Sequence, residues 1–278
     1  MALRKLFYTL PPNLRFIARK LFYFPSDTLN SILGKRHKYE PAKGDIYTGS
    51  GDFIKQGKHQ LALLKEHINI QPNHHVLDIG CGIGRTAVAL TEFLNSSGSY
   101  AGFDAVDKGI KWCKQTIGHD FPNFEFTYVP LQNDLYNKSV IDAKKFNFPY
   151  PAEQFEVAFL FSVFTHMGIE EIKNYLKEIS RTLKSDGKCL ATFFIYNPEI
   201  EAELDERQDF KFHIKRDGYR LMDANVTAAN IAISQVLLEE MALEAHLTID
   251  KEVKGFWKDK NLKQKGHDFQ DVVVFSKA

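Results

Sequence analysis

The sequence has few cysteines, almost no net charge and no long apolar run, and each absence argues against a class of protein. Three cysteines occur in 278 residues without Cys-x-x-Cys spacing, which argues against a disulfide framework or a zinc site. A formal net charge of +1 gives no overall attraction to nucleic acid or anionic membrane. Prolines and basic residues interrupt the N-terminal apolar runs, so neither a signal peptide nor a membrane-spanning helix is predicted. We therefore expect a cytoplasmic protein without a metal site.

The composition is that of an ordinary globular protein, with 44% hydrophobic and 26% charged residues. The length is sufficient for one large α/β domain with an added cap. From Val76 onward, strand and helix patterns alternate, which is typical of a parallel sheet with helices on both faces. The predicted strands are 75–79, 99–103, 124–129, 155–161 and 188–194, and the predicted helices are 85–94, 107–117 and 170–183.

The last third of the chain departs from this alternation. Two stretches, about 130–151 and 197–225, are irregular in pattern, and we interpret them as insertions. A helix over about 228–245 is predicted next, followed by two closing strands over 247–253 and 271–276.

The most informative stretch is Val76-Leu77-Asp78-Ile79-Gly80-Cys81-Gly82-Ile83-Gly84, an apolar strand that turns into a helix through three glycines. At glycines the backbone can approach a ligand closely, because no side chain intrudes. The next helix directs its first free N–H groups and its positive dipole end at the same place. The turn is therefore predicted to receive a nucleotide-like ligand.

Two details argue against a dinucleotide. The Gly-x-Gly-x-x-Gly fingerprint needs a glycine where this chain has Arg85, and Asp78 before the turn would repel a pyrophosphate but accept hydrogen bonds from an ammonium. Asp104 ends the next predicted strand, where a carboxylate can accept from both hydroxyls of a ribose. An amino acid end, a ribose and no phosphate together describe S-adenosylmethionine.

These motifs, VLDIGCGIGR and YAGFD, resemble those of class I, Rossmann-like S-adenosylmethionine-dependent methyltransferases, and the resemblance covers about residues 67–278. It implies a seven-stranded, mostly parallel sheet with an antiparallel last strand. It also implies that Asp78 and the turn hold the methionine portion, that Asp104 holds the ribose and that Ala105 lies against the adenine. The implied cofactor contacts in this region are Asp78, Ile79, Gly80, Cys81, Gly82, Gly84, Asp104 and Ala105.

The resemblance implies methyl transfer by in-line displacement to oxygen, nitrogen or carbon of a small-molecule, lipid or sugar-like acceptor. The predicted fourth strand ends in FSVFTHM, where Phe161 and Ser162 are expected to line the cofactor cleft. His166 is a candidate general base, or it bonds the following helix instead. The Asn/Asp-Pro-Pro-aromatic quartet of amino-methylating DNA enzymes is missing here, so a nucleic-acid acceptor is not predicted.

The adenine contact after the third strand has two candidates. If that strand stops at Val129, Leu131 and Gln132 flank the base. The segment from Asp142 to Pro149 resembles the family's Asp-Ala…Pro-Phe segment, displaced by an insertion. We favour Leu131 and Gln132 and keep Asp142 as the alternative.

A segment ahead of the domain, Tyr47-Thr48-Gly49-Ser50-Gly51-Asp52-Phe53, precedes a predicted helix with Asp52 as its N-cap. Its glycines and aromatic residues fit a flap over the cofactor, and they fit an ordinary turn equally well. Arg85 either forms a salt bridge to this flap, faces the substrate or has a solvated or structural role, and the last is favoured.

Residues 1–66 form a basic, aromatic N-terminal region ahead of the predicted methyltransferase domain, 67–278. Within 1–38, eight Lys and Arg residues and six aromatic residues accompany one acid, Asp27, which gives a local net charge of +7. This pattern fits a helical cap or arm, or peripheral contact with a membrane surface. An alternative function is a cofactor-binding protein without turnover that acts through this arm.

Overall fold

The computed structural model describes residues 12–49, 51–131, 141–207, 209–224 and 229–277. In chain order its strands are β1 (His75–Ile79), β2 (Ser99–Asp104), β3 (Phe124–Tyr128), β4 (Phe155–Leu160), β5 (Leu183–Phe193), β6 (Ile195–Tyr196), β7 (Ile214–Arg216), β8 (Tyr219–Leu221), β9 (Ile231–Ser234), β10 (Leu247–Val253) and β11 (Asp271–Lys277). The helices are α1 (Pro12–Ile32), α2 (Phe53–Ile68), α3 (Arg85–Thr91), α4 (Asp107–Asp120), α5 (Ile169–Thr182), α6 (Pro198–Glu206), α7 (Gln235–Glu244) and α8 (Asn261–Gln264), with 3₁₀ turns at Ala143–Lys145 and Phe164–His166.

Seven strands form the main sheet, in the order β10–β11–β5–β4–β1–β2–β3. β1 pairs in parallel with both β2 and β4, whereas β11 runs antiparallel between β5 and β10. The predicted fold class is therefore confirmed, including the reversed last strand. In parallel sheets of this kind, ligands bind beyond the carboxyl ends of the strands.

Helices cover both faces of the main sheet. Because side chains alternate along a strand, Val76 joins the core under α2, α3 and α4, whereas Leu77 and Ile79 join the core under α5 and α7. The strands are buried on both faces, which explains their nearly continuous apolar sequences. The three cysteines are free and buried, as expected for small packed residues.

A second, four-stranded sheet, in the order β6–β9–β8–β7, lies where the sequence predicted other structures. The helix predicted over 228–245 is confirmed from Gln235 to Glu244, where α7 lies, and was wrong before it, since β9 occupies the first described part of the range. Ser234 caps that helix by accepting from the Leu237 N–H at 3.2 Å. Ile231 and Ile233 are buried as sheet residues, which are well suited to β-branched side chains.

The irregular structure predicted for 197–225 was also wrong in its described parts. α6 begins at Pro198, with Asn197 as N-cap, and β7 and β8 form a hairpin around Asp217 and Gly218. Asn-Pro and Asp-Gly are local signals for a helix start and a tight turn respectively.

Smaller differences between the predicted and observed elements concern where they begin and end. α3 ends at Thr91 rather than at 94, and β5 begins at Leu183 rather than at 188.

Two helices precede β1. α2 packs into the main core through buried side chains such as Phe53 and Leu64, so the division expected near residue 66 falls inside this helix. α1 lies farther out and contacts the loop that joins it to α2. Within the described parts of the chain, every helix is too short or too polar to cross a membrane.

Candidate functional site

The glycine turn between β1 and α3 has the backbone that its sequence predicts. Gly80, Gly82 and Gly84 all have left-handed φ angles, of 78°, 59° and 79°. A Cβ at Gly80 would lie 2.6 Å from Val163 Cγ2. Any larger residue at this position would therefore clash with Val163 and would also strain the left-handed backbone. The N–H groups of Gly80 and Cys81 both donate to the Phe103 carbonyl, at 2.9 and 3.1 Å, which fixes the turn against β2.

Asp78 is buried beneath this turn, near the carboxyl end of β1. The Tyr100 hydroxyl donates to Asp78 Oδ2 at 2.8 Å. Burial, partly offset by this hydrogen bond, raises the pKa of Asp78 to about 8, and the nearby Asp104 raises it further. At neutral pH the ligand-free site therefore holds a proton on Asp78 that a cationic ligand would displace.

Asp104 ends β2, and its carboxylate is fixed by backbone donors. Oδ2 accepts from the Gly82 N–H at 2.9 Å, and Oδ1 accepts from the Val106 N–H at 2.8 Å. Burial raises the pKa of Asp104 to about 6, although these backbone donors lower it. Each carboxylate oxygen has a further lone pair, so the group can still accept from hydroxyls of a ligand.

These two carboxylates make the site suitable for S-adenosylmethionine. Two neighbouring buried acids favour a ligand with positive charge, and this nucleoside carries both an ammonium and a sulfonium group. A Cβ at Gly82 would lie 3.3 Å from Thr48 Oγ1, in the segment that precedes α2. Because glycine has no side chain, the space between the turn and this segment stays open. The residues present therefore fit the cofactor that the sequence indicates.

The segment before α2 folds onto the turn. Arg85, half-buried at the start of α3, donates through Nη2 to the Thr48 carbonyl at 2.7 Å and through Nη1 to Gln56 Oε1. Its guanidinium carbon also lies 5.4 Å from the centre of the Phe53 ring. Of the three roles considered for Arg85, the geometry matches binding to the flap, and Asp52 is the N-cap of α2 as predicted.

The carboxyl end of β4 carries a polar cluster that the sequence did not indicate. Ser162 has a left-handed φ of 59°, uncommon for a residue with a side chain. Its N–H donates to Thr192 Oγ1 and its hydroxyl donates to Gln270 Oε1, both at 2.8 Å. Gln270 Nε2 in turn lies 3.5 Å from Thr165 Oγ1. No local motif marks Thr192 or Gln270, because only the sheet order brings them to Ser162.

The remaining predicted residues near β4 and β2 lie at the same edge of the sheet. Phe161 and Ala105 are half-buried against the two cores, whereas Ile79 and Cys81 are buried. Burial raises the pKa of the Cys81 thiol well above its usual value. His166 ends a 3₁₀ turn directly after β4 and is half-buried. Its role as a base or as a structural residue stays a prediction.

The two candidate adenine contacts lie side by side. Leu131 is buried and forms an isolated parallel bridge with Ile141, so Asp142 follows immediately beside it. Asp142 caps the 3₁₀ turn by accepting from the Lys144 N–H at 3.0 Å. Gln132 lies outside the described residues. The adenine contact of Leu131, Gln132 or Asp142 therefore stays a prediction.

Known proteins resemble this chain in sequence and in fold. Residues 77–191 match the family model described as a methyltransferase domain. Phosphoethanolamine N-methyltransferase 1 of Zea mays is 24% identical over 250 residues, which cover 87% of this chain and 44% of that protein. The chain thus spans less than half the length of this curated relative.

Two solved structures show the same fold at low identity. A protein of Pyrococcus horikoshii OT3 has a TM-score of 0.56 at 16% identity, with 83% of this chain and 93% of that chain covered. The 1,6-didemethyltoxoflavin-N1-methyltransferase of Burkholderia thailandensis, solved with 1,6-didemethyltoxoflavin and S-adenosylhomocysteine, has a TM-score of 0.51 at 15% identity. The alignment covers 92% of this chain and 89% of that one.

The family model supports the predicted enzyme class and cofactor for the segment that it matches. This segment, residues 77–191, contains the glycine turn, both carboxylates and the end of β4. Residues 77–191 are therefore similar to a methyltransferase domain, and the two solved structures share the fold of the chain.

Proposed function

We propose that this protein transfers a methyl group from S-adenosylmethionine to the nitrogen of a small amine. The observation that carries the proposal is a pair of carboxylates, the buried Asp78 and the half-buried Asp104, under a turn of three left-handed glycines. The choice of nitrogen is supported by the maize relative, which is named for N-methylation of phosphoethanolamine.

Little covalent chemistry is required of the protein. When bound, the cofactor would supply a methyl group activated by its sulfonium: an acceptor lone pair would bond to the methyl carbon in line as the carbon–sulfur bond breaks and the neutral thioether leaves. The chain's own residues bind and orient the reactants: Asp78 holds the cationic end, Asp104 accepts from the ribose hydroxyls, and the Arg85-bound flap covers the turn and excludes water. The neutral hydroxyl and amide groups of Ser162, Thr165 and Gln270 suit a polar acceptor beyond β4.

An amine acceptor must be uncharged to attack, so it loses a proton before or during transfer. His166 is the residue that we assign to take it. If His166 is the base, His166→Ala lowers kcat by about 100-fold or more and leaves S-adenosylhomocysteine affinity unchanged. Full turnover by this variant would give His166 a structural role only.

The division at about residue 66, the cytoplasmic location and the lack of a nucleic-acid partner stay predictions.

The acceptor class can be tested with methyl-labelled cofactor and a panel of acceptors. The panel contains ethanolamine, phosphoethanolamine, a catechol and a sugar, and products are identified by mass spectrometry. We expect label on the nitrogen of an amine, and none with Asp104→Ala at the same cofactor concentration. Label on oxygen or carbon alone would refute the amine assignment. Cofactor binding without product from any acceptor would favour the protein without turnover.

A further inference from the structure

The outer side of α1 is an exposed apolar surface. Eight large hydrophobic side chains there are 49–77% exposed: Leu14, Ile17, Leu21, Phe22, Phe24, Leu29, Ile32 and Leu33. The other exposed large hydrophobic residues of the described chain are Tyr128, Ile141, Val236, Leu243 and Phe269, which are scattered. We call the eight side chains the α1 apolar face. Contiguous apolar surface of this kind marks an interaction site.

The opposite side of α1 holds the helix to the protein. The Asp27 carboxylate accepts from the backbone N–H groups of Lys43 and Gly44, at 2.8 and 2.9 Å. Lys20 Nζ lies 3.1 Å from Asp45 Oδ1, and the ring centres of Phe16 and Tyr47 are 5.6 Å apart. Positions 16, 20 and 27 share one helix face, so the helix packs inward through a mixed face of charged and aromatic side chains. A surface helix normally has the reverse orientation.

Basic residues surround the α1 apolar face. Residues 12–38 contain six Lys and Arg and a single acid, a local net charge of +5. That acid, Asp27, is turned inward to the backbone amides. Lys35 and Arg36 are exposed shortly after the helix. Two of the six basic residues are paired within the protein, Lys20 with Asp45 and Lys38 with Asp120, so the positive rim of the apolar surface is formed by the other four.

We propose that α1 docks flat on an anionic lipid bilayer through the α1 apolar face. Interfacial helices bind by burying apolar side chains at the headgroup boundary while basic residues contact anionic lipids. A second copy of this chain would bring two positive rims together, and a nucleic acid would not use eight large apolar side chains. The charge and the apolar area are therefore both explained by a lipid surface.

The position of α1 connects this surface to the cofactor turn. Asp45, next to Lys20, also accepts from Lys108 of α4 at 2.6 Å. Phe16 contacts Tyr47, which belongs to the flap held by Arg85. Docking through α1 thus places the methyltransferase site beside the membrane surface. This inference is independent of which acceptor the enzyme uses.

The test is co-sedimentation of the full chain with vesicles. We expect binding to vesicles with about 30% phosphatidylserine, weaker binding to pure phosphatidylcholine, and loss of the difference at high salt. Leu21→Ser/Phe22→Ser/Phe24→Ser removes three members of the α1 apolar face and should lower partitioning about tenfold or more. Lys35→Glu/Arg36→Glu changes only exposed charges and should lower binding to the anionic vesicles selectively.

The matched control is Val236→Ser/Leu243→Ser, which removes two apolar side chains of α7 that are 60% and 77% exposed. We expect this control to bind vesicles like the wild type. Three results would overturn the proposal: a wild-type chain that ignores anionic vesicles, a control that loses binding equally, or a wild-type dimer that the triple variant makes monomeric. Circular dichroism verifies folding, and methyl transfer to a soluble acceptor reports separately on the proposed function.

Discussion

Asp104 is the residue whose contribution to cofactor binding is most directly measurable. Asp104→Ala removes an acceptor for ribose hydroxyls and should weaken S-adenosylhomocysteine binding by about 2–4 kcal/mol. Isothermal titration calorimetry measures the loss. Asp186→Ala, at an exposed carboxylate in β5 away from the turn, is the control and should bind normally. An unchanged affinity in Asp104→Ala would refute the ribose assignment.

Asp78 predicts a pH dependence of binding. Its pKa of about 8 means that most of the ligand-free protein carries a proton there at neutral pH. An ammonium group binds the ionised carboxylate, so S-adenosylhomocysteine affinity should rise between about pH 6 and about pH 8, with release of a proton. Calorimetry in two buffers of different ionisation enthalpy detects that proton. Flat affinity across this range, with no proton released, would show that the ammonium lies elsewhere.

At the scale of elements, the flap and α3 are coupled through Arg85. Arg85→Ala removes the bonds to Thr48 and Gln56 and exposes the Phe53 ring. We expect the KM for the cofactor to rise about tenfold with kcat nearly unchanged, and limited proteolysis to cut the flap faster. Arg85→Lys keeps the charge without the two-pronged geometry and should be intermediate. Wild-type KM and protease resistance in Arg85→Ala would mean that the flap holds itself in place.

The elements that the sequence predicted correctly are those whose signals are local. β1 and β10 have the predicted bounds, because continuous or alternating apolar residues mark them directly. β9 was predicted as helix because Ile231-Ala232-Ile233 continues an apolar pattern into α7. The pairing of β9 with β6 and β8 decided its structure, and tertiary pairing overrides weak local propensity.

At the scale of the whole molecule, buried carboxyl groups should make stability depend on pH. Burial raises the pKa of Asp78 to about 8 from its ordinary value of 3.8, so the folded chain keeps a proton that the unfolded chain has lost. The free energy of unfolding therefore falls as pH rises toward 8. His67 and His74, whose pKa values are lowered by burial, act in the opposite direction below about 6.5. Burial also raises the pKa values of Asp104 and Asp271 to about 6, so Asp78 dominates the pH dependence only between about pH 7 and about pH 8.

Chemical denaturation of the ligand-free protein across that window tests this expectation. The wild type should lose stability as pH rises, whereas Asp78→Asn, which still accepts from the Tyr100 hydroxyl, should not. Parallel curves for the two proteins would show that Asp78 does not titrate there.

The sequence by itself determined the cofactor turn, because a glycine's left-handed backbone and an acid at a strand end are properties of neighbouring residues. It also determined which segments form most of the main strands. Only the tertiary structure decided the cluster beyond β4, since Ser162 meets Thr192 across 30 residues and Gln270 across 108. It also decided that α1 presents its apolar side outward. The physical reason is that such contacts depend on which strands become neighbours and which helix face finds partners, and neither is encoded within one short segment.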